Sequence, residues 1–122
     1  MNTTTVLIIA IAITLFLLTA KAGQISEKDA TAYLKSGALV IDVRTASEFD
    51  SRHLTNVINI PLNEIESAVP QRVKDKSQVL LLHCASGMRS GQARKKLNSL
   101  GYTNAFNLGS YARAEKILKS AQ

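Results

Sequence analysis

The chain has 122 residues, with 15 Lys+Arg against 9 Asp+Glu, a net charge of +6, one cysteine, two histidines and no tryptophan. That length accommodates one domain, and a hydrophobic fraction of 46% belongs to a globular chain, not a disordered one. A lone Cys excludes an internal disulfide framework and an all-thiolate metal site, two His argue against a zinc centre, and neither common glycine-rich nucleotide loop occurs, so no metal and no cofactor are expected.

The chain opens with an uncharged apolar stretch, Val6 to Ala20. As a helix it reaches roughly 22 Å, short of a ~30 Å hydrocarbon core, and Thr3 to Thr5 extend it to a marginal span. Ala20-Lys21-Ala22 before Gly23 fits the small-x-small pattern of a secretory signal, although Met1 to Thr5 carry no Lys or Arg. Residues 1–22 are therefore expected to be a signal peptide cleaved after Ala22, which places the domain 23–122 in the periplasm or cell envelope. The alternative is an uncleaved anchor in the inner membrane, a tether through residues 3–20. The remaining domain is still basic, which suits anionic ligands. No aromatics interleave with the basic residues, so nucleic acid is not expected as a partner.

From Gly23 onward the pattern alternates helix and strand. Ser26-Glu27-Lys28-Asp29 reads as an N-cap with an acidic first turn, Ala30, Tyr33 and Leu34 repeat at helical spacing, and Gly37 stops the helix. Leu39-Val40-Ile41 is a short buried strand. Thr45 and Glu48 form a capping box that starts a short helix. Val57 to Ile60, ended by Pro61, is a second strand. Ile65 to Val69 is helical and is expected to stop at Pro70. Val79 to Leu82 is a continuous apolar run suited to a sheet centre. Ser90 to Leu100 is a helix with Ala93, Leu97 and Leu100 inside and Arg94, Lys95 and Lys96 largely outside, ended by Gly101. Ala105 to Leu108 is a last strand and Tyr111 to Lys119 a last helix. Strands alternating with helices predict an α/β domain with a parallel, about five-stranded sheet covered on both faces.

The chemistry concentrates in His83-Cys84-Ala85-Ser86-Gly87-Met88-Arg89-Ser90, which joins the central strand to an amphipathic helix. A Cys between a strand end and a helix N-terminus sits where backbone N–H groups converge and the helix dipole adds positive potential. Gly87 permits the tight curl, and Arg89 supplies a fixed charge. Each feature favours thiolate, so the Cys84 pKa should fall below the free value of about 8.5. His83 adjoins Cys84, but neighbours on a strand point to opposite faces, which argues against a general base. Ser86 and Ser90 read as loop and N-cap hydrogen-bonders, and Met88 as a packing residue at the loop rim.

These residues resemble the rhodanese, or sulfurtransferase, family. Cys84 to Arg89 followed by Ser90 has the spacing of its Cys-x4-Arg-Ser/Thr loop. Ile41 to Phe49 is similar to its Asp-x-Arg…Glu-aromatic segment, and Arg52 to Pro61 to its Gly-His-Ile-x-Gly-Ala-x-Asn-Ile-Pro segment. The resemblance covers roughly residues 24–110 and, with an export signal, is strongest to the small periplasmic rhodaneses of phage-shock type. It implies a thiosulfate sulfurtransferase whose Cys84 becomes a persulfide by ping-pong chemistry. Ala85, Ser86, Gly87, Met88 and Ser90 would hold the terminal sulfur, Arg89 would bind the donor or brace the loop, and Asp42, Arg44 and His53 would support the structure. The implied partners are a small anionic sulfur donor, a cyanide or thiol acceptor and, as a further candidate, a thiol-redox protein; a monomer is expected. Arg52 and Asn56 stand where the family has Gly, and Gly109-Ser110-Tyr111 lacks its second Gly and later Trp. Two alternatives compete: a noncatalytic binding module, and a Cys-based phosphatase or arsenate reductase, whose Cys-x5-Arg loop is one residue longer.

Overall fold

The computed structural model describes residues 1–20 and 23–122. Lys21 and the expected cleavage point after Ala22 lie outside the described residues. Helix α1 (Thr3–Ala20) begins where the Asn2 side-chain oxygen accepts from the Thr5 N–H at 2.9 Å. Its apolar side chains from Val6 to Leu18 are exposed. Eighteen residues at about 1.5 Å each reach about 27 Å, and among the described residues no helix is long and apolar enough to cross a membrane.

The domain proper is an α/β layer structure. Four strands, β1 (Leu39–Asp42), β2 (Ile58–Asn59), β3 (Leu80–His83) and β4 (Ala105–Gly109), form one parallel sheet in the order β2-β1-β3-β4. Among the described residues the sheet has four strands against the about five expected. A fifth segment approaches β4 only as a single bridge between Gln24 and Asn107, with the Ile25 N–H donating to the Asn107 carbonyl at 2.9 Å. It extends no further because Ser26 already caps α2 (Glu27–Lys35), accepting from the Asp29 N–H at 3.1 Å.

The apolar run of β3 explains its central place, since all four residues are buried. Leu80 and Leu82 face a core shared with α4 (Ile65–Arg72) and α5 (Met88–Ser99), where Ile65, Val69, Ala93 and Leu97 close over them. Leu81 faces the other core, with Ala30 of α2 and Ala114 and Ile117 of α6 (Tyr111–Ser120). The alternation is the two-residue period of a strand buried on both sides. It also sends Cys84 into the α4–α5 core.

Local signals act as their chemistry dictates. Gly37 has φ +94 and completes the end of α2: its N–H reaches the Leu34 carbonyl and the Ala38 N–H the Tyr33 carbonyl. The capping box of α3 (Ala46–Ser51) is complete, with Glu48 N–H donating to Thr45 Oγ1 at 3.2 Å and Thr45 N–H to Glu48 Oε1 at 3.2 Å. Pro70 differs from expectation, lying inside α4 instead of ending it. The helix runs only two residues past it, and its end is held by the Val73 N–H on the Val69 carbonyl at 2.8 Å, while Pro70 has no N–H of its own to donate.

Candidate active site

The site forms where β3 ends and α5 begins. The Cys84 N–H donates to the Gly109 carbonyl at 3.3 Å, continuing the β3–β4 pairing beyond a bulge between Leu82 and His83. The chain then curls through Ala85 and Ser86, both exposed, to Gly87 at φ +97. That left-handed conformation suits glycine and turns its N–H onto Cys84 Sγ at 3.0 Å. The Ser90 hydroxyl lies 3.4 Å from the same sulfur. Burial alone pushes the Cys84 thiol up, but hydrogen bonds from the Ser90 hydroxyl and from the backbone N–H groups of Ser90, Gly87 and Ser86 outweigh it. The net result is a thiol held below its ordinary value, as a thiolate cradle requires. Cys84 is 0% exposed and belongs to the α4–α5 core cluster.

Other loop residues act as struts. The Ala85 carbonyl accepts from the Tyr111 N–H at 3.2 Å, and Ser86 pairs with Ser110 in an isolated antiparallel bridge. Met88 is half-buried as the first residue of α5, its N–H at 3.5 Å from Ser86 Oγ. The N-cap of α5 is Gly87, so Ser90 does not cap the helix as its residue type suggested. It sits inside the first turn, where its hydroxyl serves the sulfur and Asn107 instead.

Arg89 is half-buried and paired with a carboxylate. Its guanidinium forks onto Glu48, Nη1 to Oε1 at 2.7 Å and Nη2 to Oε2 at 3.0 Å. That pair holds the Glu48 carboxyl down to about 2 and raises Arg89 above its usual range. Arg89 therefore braces the loop end against α3. Beside it lies a cavity of about 440 Å³ that includes Pro61, Leu62 and Lys96. A second, of about 330 Å³, opens on the Ala85 side between Arg52, Tyr111 and Glu115.

Behind the loop is a buried ion pair. Asp42 is 0% exposed and takes Arg44 Nη2 at 2.8 Å and Nε at 3.0 Å; Arg44 Nη2 also donates to the Arg52 carbonyl at 2.6 Å. Its neighbour His83 is buried with Nε2 3.7 Å from Asp42 Oδ2 and no hydrogen-bond partner on that nitrogen. Desolvation, reinforced by Arg44 and only partly offset by Asp42 and the Cys84 carbonyl, holds His83 below its ordinary value, hence neutral. His53 is exposed, stacks on Phe49 at 4.0 Å between centroids and places Nδ1 2.8 Å from the Phe49 carbonyl, away from the cradle.

The departures from the family pattern are accommodated. Asn56 adopts φ +61, a conformation that asparagine tolerates best among non-glycine residues. Arg52 has φ −164, extended backbone that any residue adopts, and its guanidinium lies 4.6 Å over the Tyr111 ring. Gly109 has φ +104, whereas Ser110 at φ −70 needs no glycine and caps α6 by accepting from the Arg113 N–H at 3.1 Å.

Two residues of the site went unassigned by sequence reasoning. Glu48 reads as a capping residue and as the Glu of the Asp-x-Arg…Glu-aromatic segment, but it lies 41 positions from Arg89, and local sequence gives no sign that the two pair. Asn107 is fully buried in β4 and touches both the Gly87 carbonyl and Ser90. Its only sequence signal is a polar residue inside the apolar run Ala105 to Leu108.

Residues 26–113 match the rhodanese-like domain family. The chain belongs to that family. It is 38% identical over 69 residues to the thiosulfate sulfurtransferase PspE of Escherichia coli K12, covering 57% of this chain and 66% of that one. It is 32% identical over 77 residues to a thiosulfate:glutathione sulfurtransferase of Saccharomyces cerevisiae, covering 54% and 55% of the two chains. The chain thus spans about half to two thirds of the length of these curated relatives. Among solved structures it is similar to the human single-domain sulfurtransferase TSTD1, with a TM-score of 0.66 and 30% identity over 77% of this chain and 96% of that one. The resemblance seen in the Cys84–Ser90 loop and the Asp42 and Pro61 segments thus extends over residues 26–113.

Proposed function

We propose that this rhodanese-like domain is a sulfurtransferase that carries sulfane sulfur on Cys84, taking it from thiosulfate or a similar anionic donor. The observation that supports this best is the set of donors aimed at the sulfur: the Gly87 N–H at 3.0 Å and the Ser90 hydroxyl at 3.4 Å. A structural buried thiol needs no such donors, whereas a thiolate and the anionic persulfide that follows it need several. In the reaction the Cys84 thiolate attacks the outer sulfur of thiosulfate. The new Sγ–S bond forms as the S–S bond of thiosulfate breaks, and sulfite departs with the electron pair. Cyanide or a thiolate then takes the terminal sulfur and returns Cys84 as thiolate.

The full cover over Cys84 implies that the exposed Ala85–Ser86 segment moves to admit the donor. The cover is also the one observation that suits a noncatalytic module, and turnover separates the two readings. Purified protein given thiosulfate and cyanide is expected to release thiocyanate, with Cys84→Ala inactive. No thiocyanate from the wild type, and no sulfite release when a thiol replaces cyanide, would remove thiosulfate transfer. A phosphatase or arsenate reductase reading calls for a Cys-x5-Arg loop, and the span from Cys84 to Arg89 is one residue short of it. We further propose that residues 1–22 direct export, by cleavage after Ala22 or as a tether through α1, and that the domain acts as a monomer on small anionic sulfur compounds in the cell envelope.

A further inference from the structure

One buried amide holds the Gly87 peptide and the Ser90 hydroxyl, two of the groups that donate to the sulfur. Asn107 is 0% exposed on β4, next to Leu82 in register, and so on the same face as the Cys84 cradle. Its Nδ2 donates to the Gly87 carbonyl at 3.0 Å, and Gly87 is the residue whose N–H meets Cys84 Sγ. Its Oδ1 accepts from the Ser90 hydroxyl at 2.8 Å and from the Gly109 N–H at 2.9 Å. The three contacts fix which end of the amide is which, since an oxygen must face two donors and a nitrogen the carbonyl. Asn107 also ties the chain before α2 to the sheet, through its carbonyl to the Ile25 N–H at 2.9 Å and its N–H to the Gly23 carbonyl at 3.2 Å. Its orientation is therefore over-determined by neighbours that do not titrate.

We infer that Asn107 is a positioning residue for the Cys84 thiolate, acting through the Gly87 peptide and the Ser90 hydroxyl without touching the sulfur itself. The Ser90 hydroxyl has one proton and two acceptors in reach, Asn107 Oδ1 at 2.8 Å and Cys84 Sγ at 3.4 Å. With Cys84 as thiol, the proton rests on the amide oxygen, and Ser90 Oγ is free to accept the S–H. With Cys84 as thiolate, the proton turns to the sulfur, while the amide oxygen keeps the Gly109 N–H. The amide is neutral and permits both arrangements at little cost. A carboxylate in its place would retain the Ser90 proton by its charge, and would set an oxygen against the Gly87 carbonyl where a donor now stands.

This inference rests on the sulfur-transfer reading only for its consequence, so its test reads Cys84 ionisation instead of turnover. On the full chain in mild detergent, the side-chain amide resonances of Asn107 are followed against pH, beside the pH profile of Cys84 alkylation by iodoacetamide. The amide signals are expected to move with the midpoint of the Cys84 titration. Asn107→Asp is expected to raise that midpoint by about one unit, a ~tenfold loss of thiolate at a fixed pH below it. Ser90→Ala should shift it in the same direction, and Asn107→Asp added to Ser90→Ala should shift it by less than the two changes summed. Amide resonances that stay flat through the Cys84 midpoint would overturn the inference, as would a folded Asn107→Asp with the wild-type midpoint. If Asn107→Asp does not fold, the amide titration of the unaltered protein decides alone. Absence of sulfur uptake with coupled amide and thiol titrations would instead sink the sulfur-transfer reading and leave the inference standing.

Discussion

Replacing Glu48 by Gln tests whether the Arg89–Glu48 pair holds the active loop shut. The substitution is selective, because Gln at the third helical position still completes the capping box with Thr45 and only the charge is lost. The pair is bidentate, at 2.7 and 3.0 Å, but its side chains are 33% and 36% exposed. Solvent therefore screens it, and it contributes about 1 kcal/mol, near the top of the range for surface pairs. For a domain of this size that corresponds to a fall in Tm of about 4–8 °C. The Glu48 carboxyl titrates at about 2 in the folded protein against 4.5 ordinarily. Its contribution is thus complete above pH 4.5 and is lost as pH falls through about 2, so the Gln variant should show a flatter stability profile across that window. Loosening the loop end by about 1 kcal/mol should also raise the open population, and with it alkylation of the covered Cys84, about fivefold. Thermal melts by circular dichroism from acid to neutral pH, paired with iodoacetamide kinetics, measure all three. A variant with wild-type Tm, pH profile and alkylation rate would show that Arg89 does not brace the loop.

Other residues give independent checks. Arg44→Lys keeps the charge but loses the fork onto Asp42 and the bond to the Arg52 carbonyl, and should cost about 2–3 kcal/mol in urea unfolding. His83 is held neutral below its ordinary 6.5, so the unfolded chain takes up a proton first. Stability should fall as pH drops below about 6.5, and His83→Gln should remove that slope from denaturant titrations at stepped pH. Asn56→Ala, at φ +61, should lower stability by about 1 kcal/mol, whereas Asn56→Gly should be neutral or slightly stabilising; equal losses in both would mean that the side chain, not the backbone, matters there.

Much of this was legible from local chemistry. A continuous apolar run fixes β3 at the centre, and the Thr45–Glu48 box starts α3 because both partners lie within one turn. The Cys84-to-Arg89 spacing points to the loop because its geometry is local too. What escaped depends on distant packing. Nothing near Arg89 in sequence says that its guanidinium will find a carboxylate on α3. Nothing near Ser90 says that its hydroxyl will turn inward to a sulfur and to Asn107, seventeen positions on. Pro70 reads as a stop, but tertiary contacts of Ile65 and Val69 carry α4 two residues beyond it. The about five strands expected become four, and the segment before α2 meets β4 in one bridge because the Ser26 cap claims the chain first.

The central claim is that Cys84 carries sulfur, and intact mass spectrometry reads it directly. The protein is weighed after exposure to thiosulfate and again after cyanide. A gain of one sulfur atom is expected, lost with cyanide and absent from Cys84→Ala. An unmodified thiol after thiosulfate, in protein whose Cys84 remains open to alkylation, would contradict it.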